Sequence, residues 1–80
     1  MNGTQRPLSD LPVGKGGFIT ASALEGPLAL RFEELGLFAG AEVTCRGRAP
    51  SGSPGAYEVL GATLALRRED AGRILVRPWD

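Results

Sequence analysis

The sequence predicts a small, mainly β protein in which about five short strands form a strongly bent barrel with one short inserted α-helix. Glycine and proline are frequent, with 12 and 6 in 80 residues, as in turn-rich β folds. Apolar residues alternate along several short segments, the pattern of half-buried strands. Only residues 27–40 show a clear helical period.

That helical segment carries its own start and stop signals. Pro27 fits the first turn, where its missing N–H would have had no partner. Gly36 fits the left-handed residue that closes a helix. Leu28, Phe32 and Leu35 recur at i, i+4 and i+7 and form one apolar stripe. We therefore expect an amphipathic helix whose stripe packs on the sheet.

Short strands are predicted on both sides of this helix. Residues 16–22 combine Phe18 and Ile19 with small and β-branched residues. In residues 41–49, Ala41, Val43 and Cys45 share one face, which we expect to be buried. The remaining predicted strands are 57–60, 62–66 and 74–76, with Gly61 at a bend and one helical turn within 67–72. This order of elements is typical of an SH3-like barrel.

The length fits one domain, which we place at residues 8–78 after a flexible N-terminal tail, residues 1–7. The N-terminus has no apolar core of the signal-peptide kind, and no run of residues approaches the length of a membrane span. These features predict a soluble cytoplasmic protein that does not insert into the membrane.

The composition argues against an enzyme, and we predict no cofactor and no metal site. Histidine is absent, so no imidazole base is available, and the 9 basic and 9 acidic residues cancel. Lys15 in VGKGG lacks the spacing of a phosphate-binding P-loop. The lone Cys45 is expected to be a small buried residue. The carboxylates of Glu33 and Glu34 diverge on a helix, since adjacent positions face apart.

Two features are not explained by the fold alone. Leu30 lies on the helix face opposite the apolar stripe, where it is either an isolated exposed leucine or a contact for a partner. Four arginines fall on or beside strands, where they form either a basic patch or a solvated surface. They are Arg46, Arg48, Arg67 and Arg68.

Several motifs in order resemble one known family. The chain opens with LSDLPVGKGGFI, continues with LALRFEELGLFAGAEV, and ends with RAPSGSPGAYEVLGATLALRREDAGRILV. These segments are similar to the opening, the helix motif and the closing half of the FeoA family, cytoplasmic accessory proteins of bacterial ferrous iron uptake. The resemblance covers nearly the whole chain from Leu8 to Val76.

The resemblance implies a non-enzymatic regulator or adaptor that binds the cytoplasmic GTPase domain of the FeoB transporter, and that lies at the inner membrane only through this partner. The family commonly has basic residues where this chain has Ala29 and Leu30, which favours an apolar contact through Leu30. The residues expected to contact the partner are Leu30, Arg31, Glu34, Leu35, Gly36 and Arg67.

Two other functions remain open at this stage. A small-barrel nucleic-acid binder could use the four arginines, although the neutral net charge argues against it. A stand-alone interaction domain like the SH3-like domain of iron-dependent regulators would share the fold. Weak self-association is also left open.

Overall fold

A computed structural model describes residues 4–79 of the chain. It is mainly β, as predicted, with six strands and two helices. The strands are β1 (Arg6–Pro7), β2 (Gly16–Ser22), β3 (Glu42–Arg48), β4 (Gly55–Val59), β5 (Ala62–Leu66) and β6 (Ile74–Pro78), and the helices are α1 (Gly26–Glu34) and α2 (Arg68–Ala71). Neither helix is long and apolar enough to cross a membrane, as far as residues 4–79 show.

All six strands belong to one antiparallel sheet with the order β1-β6-β2-β3-β4-β5. The register shifts within β2 and again within β3, and such bulges bend the strands. The sheet surrounds a single apolar core, whose members alternate along the strands as expected for half-buried β structure. They are Leu8, Leu11, Ile19, Leu37, Ala41, Val43, Cys45, Tyr57, Val59, Leu66, Ala71, Ile74 and Val76.

The N-terminal segment contains a short strand that the sequence analysis did not predict. Residues 6 and 7, placed within the expected tail, pair with β6 as the short strand β1. A 3-10 turn follows at Leu8–Asp10, and the side chain of Leu8 is fully buried. The first three residues of the expected tail lie outside the described residues. A two-residue strand leaves no periodic pattern, so only its partner strand defines it.

Helix α1 ends as its sequence predicts. Gly36 adopts φ +114°, and its N–H donates to the carbonyl of Glu33 at 3.1 Å. The N–H of Leu37 donates to the carbonyl of Phe32 at 2.9 Å. This pair of bonds is a Schellman closure, which requires a left-handed residue that glycine supplies at little cost.

The expected burial of the helix stripe is wrong in its detail. No residue of α1 is fully buried, and Leu28 and Leu35 remain 37% and 39% exposed. Phe32 packs partly against the core, whereas the buried anchor is Leu37, which lies beyond the helix. The reason is the closure at Gly36, which turns the chain inward and directs the next side chain into the core.

One polar contact fastens the N-terminal turn to the sheet. Arg48 on β3 donates from Nη2 to the carbonyl of Ser9 at 2.6 Å. The same nitrogen lies 3.5 Å from the hydroxyl of Tyr57, a residue that is only 1% exposed. Arg48 therefore satisfies a backbone carbonyl and the polar end of a buried aromatic ring together.

Two glycine-to-alanine substitutions test the close packing of β2 against β6. In Gly17→Ala the new Cβ would overlap the carbonyl oxygen of Arg77 and lie 2.8 Å from Cα of Pro78. We expect a loss of about 2 kcal/mol in the free energy of unfolding, measured by urea denaturation. Gly47→Ala is the matched control, because its Cβ meets nothing within 4 Å. Equal effects of the two substitutions would contradict this packing.

The burial of the Tyr57 phenol predicts that the folded protein loses stability at high pH. Burial raises the pKa of its phenol above the ordinary 10.0, and the opposing effect of Arg48 is smaller. The folded state holds this proton more tightly than the unfolded state, so its contribution is complete below pH 10 and declines above it. Tyr57→Phe removes the effect. The stability advantage of the wild type over this variant should therefore shrink as the pH rises above about 10 in urea titrations. A constant difference would contradict the prediction.

Candidate partner-binding site

The outward face of α1 forms a groove of about 470 Å³. Positions 27, 30, 31 and 34 lie at i, i+3, i+4 and i+7, so the helix brings them onto one face. Pro27, Leu28 and Leu30 supply its apolar surface, and Arg31 and Glu34 supply its charges. The structure thus brings together three residues that the sequence analysis had named as partner contacts.

The apolar part of this groove is open to solvent. Leu30 is 59% exposed, well above the other leucines of the helix. The helix has no buried residue that would tie Leu30 to the core. A substitution of Leu30 should therefore leave the fold largely intact.

The charged part of the groove has no partners within the described chain. Arg31 and Glu34 lie one turn apart, yet neither forms an ion pair within 4 Å among residues 4–79. Both side chains are exposed. They are therefore available to a ligand without breaking an existing contact.

Leu35 and Gly36 lie at the helix closure and are not among the residues that line the groove. Leu35 is 39% exposed, whereas Gly36 is buried. A Cβ on Gly36 would lie 3.0 Å from Cδ1 of Leu60, so this leucine covers the glycine. Gly36 therefore shapes the site through its backbone and has no side chain to offer a partner.

The sequence analysis placed Leu60 at the end of the predicted strand 57–60, which is wrong, because β4 ends at Val59; its place beside the helix closure was missed. Leu60 forms the β4–β5 turn with Gly61, and both have positive φ, 50° and 82°. Such turns favour asparagine, aspartate and glycine, and a branched apolar residue costs about 1–2 kcal/mol there. Leu60 is also 70% exposed. The pattern VLGAT could have revealed it, because a leucine precedes the glycine of a two-residue hairpin turn.

Arg67 lies outside the α1 groove. It precedes α2, where its Nε donates to Asp70 at 3.4 Å across the first turn of that helix. Its role in partner binding therefore stays a prediction, and the structure gives it a local contact.

The other three arginines also have contacts within the protein. Arg46 pairs with Glu58 on the neighbouring strand, and Arg48 is fixed on Ser9 as described above. Arg68 lies 3.5 Å from the carbonyl of Ser51 in the loop before β4. Each of these three guanidinium groups therefore has a contact within the protein, although the side chains of Arg46 and Arg68 remain exposed to solvent.

No cluster of three or more histidine, cysteine, aspartate or glutamate residues that could hold a metal ion occurs within residues 4–79. Cys45 is fully buried on β3, as expected for a small core residue. The chemistry that the α1 groove offers is therefore that of binding: an apolar surface with one cation and one anion at its edge.

Comparison with known proteins identifies this architecture. The family model described as the FeoA domain matches residues 6–78. No curated protein matches the chain as a relative. Among solved structures, an iron uptake regulatory protein (FeoA) has 25% sequence identity and a TM-score of 0.82 over 95% of this chain and 99% of its own.

Two further solved structures agree. The FeoA protein of Chlorobium tepidum is 32% identical, with a TM-score of 0.83 over 89% of this chain and 69% of that one. The FeoA of Stenotrophomonas maltophilia is 29% identical, with a TM-score of 0.76 over 90% and 93%. That protein was solved with zinc and is described as a procaryotic SH3 domain protein and a candidate activating factor of ferrous iron transport. The likeness confirms the predicted SH3-like fold.

Leu60 allows a direct test of the strained turn. Leu60→Asn places a residue that tolerates positive φ at the first turn position, so we expect the free energy of unfolding to rise by about 0.5–1 kcal/mol. Leu60→Ala is the control, because it removes the contact with Gly36 and keeps the strain. Urea denaturation that shows Leu60→Asn to be no more stable than Leu60→Ala would contradict the account.

Proposed function

The chain belongs to the FeoA family, and from this premise we propose that it is a non-enzymatic accessory protein of ferrous iron transport that binds the cytoplasmic GTPase domain of the FeoB transporter. The observation that carries the proposal is the α1 groove, an exposed apolar surface with an uncommitted charge pair. The proposal places the protein in the cytoplasm, at the inner membrane only through its partner.

The composition of the groove supports protein binding. Interfaces gain most of their affinity from a few side chains near the centre of the contact, and arginine is enriched among them. Leu30 and Arg31 both line the groove; Arg31 is of the enriched type, and Leu30 supplies exposed apolar area. Burial of an exposed leucine contributes about 1.5–3 kcal/mol, and an exposed charge pair contributes about 0.2–1 kcal/mol. Leu30 is therefore the expected anchor, and Arg31 and Glu34 determine the orientation.

The position of the groove also supports this role. Beyond the helix, Leu35 and Leu60 are exposed apolar side chains, and Leu60 lies over Gly36. A partner that binds there would contact Leu60, the leucine whose positive φ is energetically unfavourable. Leu30, Arg31, Glu34, Leu35 and Gly36 thus form one proposed surface, with Arg67 as a separate candidate at α2.

Binding measurements with a charged variant test the proposal. Leu30→Asp should weaken binding of the isolated FeoB GTPase domain about 30-fold, as expected for the loss of about 2 kcal/mol of apolar contact. Titration calorimetry with each nucleotide state gives the affinity. Val13→Asp is the matched control, because Val13 is 56% exposed and lies outside the groove. Equal affinities of the two variants would contradict this surface, and no binding by the wild type would contradict the partner.

Turnover of GTP distinguishes a catalytic contribution from binding alone. An arginine supplied in trans raises GTP hydrolysis by orders of magnitude. We expect no such role, so Arg31→Gln should weaken binding about two- to fivefold and leave the rate at saturating accessory protein unchanged. A large fall in that rate, measured by phosphate release, would instead assign Arg31 a catalytic function.

A further inference from the structure

A second groove, of about 440 Å³, shares no lining residue with the α1 groove. It lies between the segment that precedes β2 and the end of β6. Leu11 forms a buried floor, and Pro12, Pro78 and Trp79 form apolar walls. Its volume is within the range of sites that hold a small ligand or a few residues of a peptide.

Trp79 is held in a fixed position beside this groove. Its indole N–H donates to Oε2 of Glu42 at 2.9 Å, and its backbone N–H donates to the carbonyl of Gly16 at 2.8 Å. The six-membered ring covers Gly16 so closely that a Cβ there would lie 2.7 Å from Cζ2. The side chain is nevertheless 41% exposed.

This arrangement is that of an anchor for a ligand. An aromatic ring fixed before binding loses little conformational entropy when a second group packs on it. Tryptophan is enriched at the energetic centres of interfaces for this reason and for its large apolar area.

The charges around the groove indicate which charge a ligand should carry. Arg6 and Lys15 line it, and neither forms an ion pair within 4 Å among residues 4–79. Among residues 4–79, Asp10 is the one carboxylate on the lining, and the carboxylate of Glu42 accepts the hydrogen bond of the indole. The excess of cations repels a basic ligand and favours an anionic one.

We propose that this groove binds an acidic peptide segment of another protein, with an apolar or aromatic side chain against Trp79 and a neighbouring carboxylate between Arg6 and Lys15. The site is independent of the α1 groove and of the proposed contact with FeoB. It gives the protein a second binding surface with a different chemistry, because one surface is mainly apolar and the other combines an aromatic ring with two cations.

The test uses Trp79 as its own reporter, since it is the single tryptophan of the chain. The full chain is titrated with the blocked peptide acetyl-Glu-Phe-Glu-amide, which contains no tryptophan, and the emission is followed. We expect a saturable change at concentrations up to about 5 mM, a range that covers weak peptide binding. Raising the salt concentration from about 50 to about 500 mM should weaken the binding of the peptide, because the contact is electrostatic in part.

Three comparisons decide the outcome. The amide peptide acetyl-Gln-Phe-Gln-amide should bind several-fold more weakly, and Lys15→Gln should lower the affinity for the acidic peptide about two- to fivefold. Arg73→Gln is the matched control, because Arg73 is exposed and lies outside the groove. Equal binding of both peptides, no effect of Lys15→Gln, or no change in emission would overturn the proposal. A change in emission on dilution of the protein alone would also overturn it, in favour of a second copy as the occupant.

Discussion

The left-handed backbone of Gly36 is the constraint on which the rest of the α1 region depends. Its closure satisfies the last carbonyls of the helix and turns the chain inward, so that Leu37 enters the core. The core therefore receives its anchor from the residue after the helix. The helix itself is left with one face half-packed through Phe32 and the other face free. A short helix that contributes no fully buried side chain can present Leu30 to a partner at little cost to the fold.

Much of this architecture could be predicted from local patterns. Glycine and proline marked the turns, and strict alternation in residues 41–49 gave the buried face of Ala41, Val43 and Cys45, which the structure confirms. The helix stop at Gly36 was predictable because few residues other than glycine adopt that conformation. The candidate contacts Leu30, Arg31 and Glu34 share a face by helical geometry alone, and the structure places them in one groove.

Other features of the fold depend on contacts between segments that are distant in the sequence, and the periodicity of apolar residues does not reveal such contacts. Strand β1 exists because Arg6 and Pro7 pair with a strand some 70 positions later. The groove beside Trp79 requires β6 to end next to Gly16, so neither segment reveals it alone. The local pattern VLGAT indicates the turn at Leu60, but the contact of Leu60 with Gly36 depends on another element. Each of these residues has its role because of a contact that forms only when the chain folds.

The central claim is that the outer face of α1 is a surface for the transporter. A photocrosslinking side chain at position 30, compared with the same group at position 13, tests it most directly in cells that contain FeoB. Both positions are comparably exposed, at 59% and 56%. The account predicts a light-dependent adduct with FeoB from position 30 and none from position 13. An adduct from position 13 with none from position 30 would contradict it.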